Sequence, residues 1–136
     1  MSSVEQTLSI IKPDAVQRNL VDAIKSKFIE NKLNIKKIKK IKISKEESAE
    51  FYKVHQTKPF YDGLCAYLSS GPIVVMILEG ENAIQKNREI MGATDPQKAE
   101  IGTIRREHGI SIDKNSVHGS DSPDNAKKEI DFFFKS

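Results

Sequence analysis

Ile73-Val74-Val75-Met76-Ile77-Leu78 is the most apolar run of the chain, and four of its six residues are β-branched. A run this short and this apolar reads as a strand buried on both faces, and therefore as a central strand of a sheet. Turn residues Ser69-Ser70-Gly71-Pro72 precede it. Asn82 follows, and can cap a helix over Ala83–Met91. The rest of the fold is read outward from this strand.

Toward the N-terminus, Thr7–Lys12 (TLSIIK) reads as a short buried strand ended by Pro13. Leu20, Val21, Ile24 and Phe28 recur at helical spacing, which predicts a helix ending near Asn31. In Leu33–Ile43, Leu33/Ile35 and Ile41/Ile43 alternate, whereas Ile35, Ile38 and Ile41 are spaced by three. One strand with a bulge near Lys37–Lys40 reconciles the two patterns, and the isoleucines favour strand over helix. Ser44 and Glu47 form a capping-box pattern that opens a helix expected to reach about His55. Lys58-Pro59 breaks it, and Phe60–Leu68 reads as a short helix.

Toward the C-terminus, Gly92–Ile112 lacks periodicity and reads as a long functional loop with short turns, with a brief strand near Ser111–Ile112. Ser122-Pro123 starts a last helix running to about Phe134. The order β-α-β-α-β-α-β predicts an α+β sandwich, its central sheet mostly antiparallel and its helices on the faces.

The 136 residues are 38% hydrophobic and 30% charged, which fits one globular domain over residues 1–136 and excludes a disordered chain. No apolar run is long enough to span a membrane. Met1–Gln6 shows no basic segment followed by an apolar one, so no secretory signal is expected. Cys65 is the only cysteine and sits among Leu64, Ala66 and Leu68. A buried thiol and a reducing, cytoplasmic setting are expected.

The net charge of +3 hides an asymmetry. Lys25–Lys45 holds nine lysines and one acid, Glu30, so the remainder of the chain is acidic. Such a stretch can bind polyanions. Lysines alternating with isoleucines also mark the solvated side of a strand, where they discourage edge-to-edge pairing.

Asn115-Ser116-Val117-His118-Gly119-Ser120-Asp121-Ser122 places one imidazole directly before a Gly-Ser-Asp turn. Imidazole is the side chain suited to act as nucleophile or proton carrier near neutral pH. The last helix buries Ala126, Ile130 and Phe133 on one face. At about 100° per residue, Glu129 lies about 60° from Ala126, at the margin of that stripe. Its carboxylate either orients one imidazole nitrogen or pairs at the surface with Lys127 or Lys128.

Arg88, Thr94 and Arg105 lie near the irregular loop and suit phosphate oxygens, because a guanidinium fork binds two at once. Arg106, followed by Glu107, reads as surface charge. No G-x-x-x-x-G-K-[ST] occurs, so a phosphate cradle must use side chains. Lys12 ends an apolar strand, where a solvated tip is the default and a ligand contact the sharper reading. Tyr52 and His55 share a helix face. Phe60 is either core or a ring for a nucleobase, a contact nearly indifferent to base identity. His108 has no metal-ligand spacing and no assigned role, and no zinc or calcium pattern is present.

Together these residues resemble the nucleoside diphosphate kinase family over Thr7 to Phe134. The N-x-x-H-G-S-D-S block at Asn115–Ser122 is the family's active-site motif. Ile11-Lys12-Pro13-Asp14-Ala15-Val16, Lys58-Pro59-Phe60-Tyr61, Ser70-Gly71-Pro72, Met91-Gly92-Ala93-Thr94-Asp95-Pro96 and Gly102-Thr103-Ile104-Arg105 support it. The resemblance implies a ferredoxin-like βαββαβ sandwich with a four-stranded antiparallel sheet. It also implies ping-pong transfer of a γ-phosphate through phospho-His118, by way of Nδ1, between nucleoside tri- and diphosphates of any base. Glu129 would orient the imidazole, Ser120 assist at the turn, and Tyr52 lie beside the transferring group. Arg88, Thr94, Arg105 and His55 would hold phosphate oxygens. Lys12 and Asn115 would bind the ribose, and Phe60 and Ile112 sandwich the base. Magnesium is expected to bridge the phosphates, chiefly through water. The chain stops at Ser136, just after the last helix, as bacterial forms do. A homo-oligomer built from dimers is expected, hexamer before tetramer, because the loop around Asp95-Pro96 is retained.

The rival reading is a nucleic-acid-binding module using the Lys25–Lys45 face. It accounts for the lysines but not for the residues around His118, and it lacks interleaved aromatics.

Overall fold

The computed structural model describes residues 4–53, 56–59, 61–110 and 116–134. Its elements in chain order are β1 (Val4–Ile11), α1 (Pro13–Gln17), α2 (Val21–Glu30), β2 (Asn34–Ile41), α3 (Lys45–Phe51), α4 (Tyr61–Leu68), β3 (Ile73–Glu81), α5 (Ala83–Met91), α6 (Ile104–His108), β4 (Val117–Gly119) and α7 (Pro123–Phe133). The four strands form one antiparallel sheet in the order β2-β3-β1-β4. This is the ferredoxin-like α+β sandwich.

The apolar run at Ile73–Leu78 is the inner strand expected of it. β3 pairs with β1 through Thr7↔Leu78 to Ile11↔Val74 and with β2 on its other side. Strand alternation then divides its side chains between two cores. Val74, Met76 and Leu78 join Ile24, Phe28 and Leu33 on the face covered by α2 and α5. Ile73 and Val75 join Leu8, Ile10, Leu68 and Phe133 on the face covered by α3, α4 and α7. Burying one such large side chain contributes about 1.5–3 kcal/mol.

Several boundaries differ from expectation. β1 begins at Val4, and a five-residue helix follows at Pro13, where proline suits the first turn. The irregularity in β2 falls between Ile35 and Lys37, just ahead of the expected bulge. The capping box at Ser44 and Glu47 forms, with hydrogen bonds of 3.0 Å in both directions. Its helix stops at Phe51, short of His55. Asn82 precedes α5 as expected but makes no side-chain cap. Its φ of 52° is left-handed, and the Glu5 carboxylate accepts from the Ile84 N–H at 3.0 Å instead. The long loop contains α6. The strand expected near Ser111–Ile112 lies outside the described residues. The fourth described strand is β4, in the segment read as the approach to a turn; three residues carry no periodicity to reveal a strand.

Among the described residues β4 is an outer edge and pairs with β1 alone, through Ser9↔Gly119, Ile10↔His118 and Ile11↔Val117. The lysine-rich stretch lies on α2 and on β2, the opposite edge. Phe28, its only aromatic, is fully buried. Cys65 is also buried. Among the described residues no helix is long and apolar enough to cross a membrane.

Candidate active site

His118 stands at the middle of β4, its side chain about a quarter exposed at 23%. Ser122 caps α7 by accepting from the Asn125 N–H at 3.2 Å, and Ala126 and Phe133 seat that helix on the sheet. This packing turns Glu129 toward the strand rather than toward Lys127 or Lys128. Its Oε1 lies 3.0 Å from Nε2 of His118 and accepts the Ser120 hydroxyl at 2.8 Å. The carboxylate engages Nε2, which leaves Nδ1 as the other ring nitrogen.

Ser120 is fully buried and links three elements. Its N–H donates to the Leu8 carbonyl at 3.2 Å, and its Oγ accepts from the Leu8 N–H at 3.3 Å. The C-terminal end of β4 is thereby tied to β1 and to Glu129 at once. Gly119 lets α5 come close. A Cβ there would meet Asn87 Nδ2 at 2.3 Å and Met91 Cε at 2.8 Å.

An aromatic wall closes one side of the imidazole. The Phe51 ring meets His118 edge-on, with centroids 5.3 Å apart and planes at 77°. Phe51 also packs against Tyr52, Phe132 and Phe133. Sequence reading missed Phe51; a helix-end phenylalanine is indistinguishable from core without the neighbouring strand. Tyr52 is 6% exposed, and burial, with Cys65 and the charge of Glu129 adding to it, pushes its phenol well above the ordinary tyrosine range. It is a neutral hydroxyl at physiological pH.

Arg88, Thr94 and Arg105 line one cavity of about 540 Å³ between α5 and α6, together with Lys98. Arg105 joins that cavity to β4: it donates to the Gly92 carbonyl at 3.0 Å and to the Val117 carbonyl, one residue before His118, at 2.9 Å. Its buried Nε has no hydrogen-bond partner among the described residues. Burial, and then the charge of Arg88, push its pKa down to about 10. Two cations are thus held close together in a partly desolvated place, an arrangement that favours an anion. Asp121, beyond the turn, is held below the usual carboxylate range chiefly by the Asn125 amide, with the charge of Arg88 adding to it. Arg106 donates to the Gln97 carbonyl at 3.0 Å.

Lys12 departs from the solvated lysine tip taken as the default. It is 6% exposed, and its backbone N–H donates to the Ser116 carbonyl at 2.8 Å. His55, Phe60, Ile112 and Asn115 lie outside the described residues. The His108 carbonyl accepts from Arg18.

A family model described as nucleoside diphosphate kinase matches residues 5–136. The nucleoside diphosphate kinase of Nitratiruptor sp. is 57% identical over 131 residues, 96% of each chain. That of Persephonella marina is 54% identical over 132 residues, covering 97% of this chain and 94% of the other. The crystal structure of the Aquifex aeolicus nucleoside diphosphate kinase superposes with a TM-score of 0.96 at 42% identity, covering 98% of this chain and 97% of that one. The Halobacterium salinarum enzyme in complex with CDP superposes with a TM-score of 0.94 at 39% identity, covering 98% and 90%.

Proposed function

The chain belongs to the nucleoside diphosphate kinase family, and from that membership we propose that His118 is the group that carries the phosphoryl between nucleotides. The enzyme is a phosphotransferase that moves the γ-phosphate of a nucleoside triphosphate to a nucleoside diphosphate. The observation that carries the assignment to His118 is the contact between its Nε2 and Glu129. A carboxylate on one ring nitrogen fixes the tautomer and leaves the lone pair of Nδ1 outward.

In the first half-reaction Nδ1 attacks the γ-phosphorus, the bond to the bridging oxygen breaks, and the diphosphate leaves. In the second, a terminal oxygen of another diphosphate attacks the phosphohistidine and the P–N bond breaks. Glu129 stabilises the positive charge on the ring through the Nε2 proton. Arg88, Arg105 and Thr94 meet the non-bridging oxygens, where transition-state charge spreads. Tyr52 lies beside the transferring group as a neutral hydroxyl. Lys12 and Asn115 hold ribose hydroxyls, with Lys12 also reaching the phosphates, and His55 adds a phosphate contact. Phe60 and Ile112 take the base by its two faces, which tolerates every base.

The family's chemistry is that of a nucleotide kinase working with a divalent metal. We assign magnesium to that place. Arg88, Lys98, Arg105, Thr94 and Thr103 on the cavity lining suit phosphate oxygens; the carboxylates of Glu89 and Glu100 share that lining, but among the described residues no group of three or more His, Cys, Asp or Glu could hold a metal ion. The ion would therefore be held mainly by the nucleotide and by water, the usual habit of magnesium, and would supply neutralisation of phosphate charge there. The proposed assembly is a hexamer built from dimers, on the strength of the retained Asp95-Pro96 loop; mass measurement in solution tests it. The buried free thiol of Cys65 supports a reducing, cytoplasmic setting.

Incubation with γ-labelled ATP tests the reading directly. The expected product is an acid-labile, base-stable label on His118, absent from His118→Ala. A label on serine overturns it.

A further inference from the structure

We infer that Asp14 is a positioning residue for the phosphoryl carrier, acting through Ser116 at the entrance to β4. The inference rests on His118 being that carrier.

Asp14 sits in the first turn of α1 and is 6% exposed. A carboxylate is that deeply buried only where donors surround it. Three do. The Tyr67 hydroxyl donates to Oδ1, the Ser116 hydroxyl donates to Oδ2 at 2.9 Å, and Arg18 Nη2 donates to Oδ2 at 2.9 Å. The Asp14 N–H in turn donates to the Tyr67 oxygen at 2.9 Å. One carboxylate thus gathers α1, α4 and the residue that leads into β4.

Ser116 needs such support. It is fully buried and its φ is +76°, a left-handed conformation that a side chain other than glycine's adopts under strain. Its hydroxyl is held by Asp14 and its carbonyl by the Lys12 N–H at 2.8 Å. Two residues later comes His118, on a strand of three residues that, among the described residues, pairs with β1 alone. So short an edge has few ladder bonds of its own. Its C-terminal end is tied by Ser120, and its N-terminal end by the bonds to Ser116.

Arg18 extends the same clasp. Its Nη2 also reaches the His108 carbonyl at 2.5 Å and the Ser116 hydroxyl at 3.4 Å. One guanidinium therefore touches the last residue of α6 and the residue before β4. α6 carries Arg105 and β4 carries His118. The separation between a phosphate-binding cation and the attacking imidazole is set where Asp14 and Arg18 meet. None of these residues lines the cavity of Arg88 and Arg105, and among the described residues none hydrogen-bonds the His118 side chain, so the group acts on placement rather than on chemistry.

Single-turnover phosphorylation by γ-labelled ATP at saturating nucleotide tests this in Asp14→Asn and Ser116→Gly, with nucleotide affinity and thermal stability measured alongside. Glycine accepts the φ of +76°, so Ser116→Gly keeps the fold while losing the clasp even where Asp14→Asn does not. The expected result is a phosphorylation rate constant roughly 10- to 100-fold lower in the folded variants, with a smaller change in nucleotide affinity. Labelling of His118 in both variants at the wild-type rate overturns the inference and leaves the carrier assignment intact. Failure of the wild type to label on His118 overturns both.

Discussion

Glu129 Oε1 stands 3.0 Å from His118 Nε2 and takes the Ser120 hydroxyl on the same oxygen. The two donors differ in consequence. The imidazole contact orients the His118 ring, whereas the hydroxyl contact holds the carboxylate in place.

Glu129→Gln preserves the shape and removes the charge. It is expected to lower kcat by about 10- to 100-fold with KM near wild type, the size of effect seen when the group orienting a histidine is altered. Steady-state kinetics with paired nucleotides check it. A rise in KM at unchanged kcat would assign Glu129 to nucleotide binding instead.

Ser120→Ala removes the acceptor of the buried Leu8 N–H together with the donor to Glu129. A destabilisation of about 1–3 kcal/mol is expected from the stranded group. Urea denaturation measures it. Unchanged stability would mean that another acceptor replaces the serine.

Phe51→Leu removes an aromatic edge contact with the carrier ring. Such contacts are worth about 0.5–1.5 kcal/mol, so kcat is expected to fall by up to about tenfold. Kinetics set beside nucleotide affinity by calorimetry separate this from lost binding. An equal loss in affinity would place the ring against nucleotide.

Gly119→Ala brings a methyl group against Asn87 and Met91 and is expected to cost about 1–3 kcal/mol. Asn87→Ala in the same chain makes room and should restore part of that loss. Thermal melting of the single and double variants reads the coupling; strictly additive losses would show that the contact is not the cause.

Alkaline stability follows opposed shifts: Tyr52 and Tyr67, both raised chiefly by burial, act one way, and Arg105 the other. The raised pKa of Tyr52 contributes stability that is complete below the unfolded tyrosine value of about 10 and lost as pH rises above it. Arg105 runs the other way. Its lowered value of about 10 is a penalty on the charged form that eases as pH climbs from there toward the unfolded arginine range. Tyr52→Phe is therefore expected to lose less stability than wild type between about pH 9 and 11. Urea denaturation across that window checks it, and identical slopes would sink the assignment.

The fold was largely legible because its signals are local. Ile73–Leu78 announced an inner strand, Leu20–Phe28 a helix, and Ser44 with Glu47 a helix start. The failures were also local in cause. α1 and α6 have five residues each, too few to show a period, and β4 has three. Asn82 has the composition of a cap, but Glu5, from the first strand, supplies the acceptor.

Sequence by itself determined the inner strand at Ile73–Leu78 and the family motif around His118, and it named Glu129, Arg88, Thr94 and Arg105 as candidates to stand near it. Periodicity and residue chemistry are properties of a short window. Only the tertiary structure decided that Ser120 would bond Leu8 across 112 positions, that Asp14 would hold Ser116 across 102, and that Phe51 would lie against the imidazole. The first two contacts depend on the strand order β2-β3-β1-β4, which lays β4 beside β1. Strand order is set by how the two cores close over the sheet, a global balance of burial that no window of residues contains.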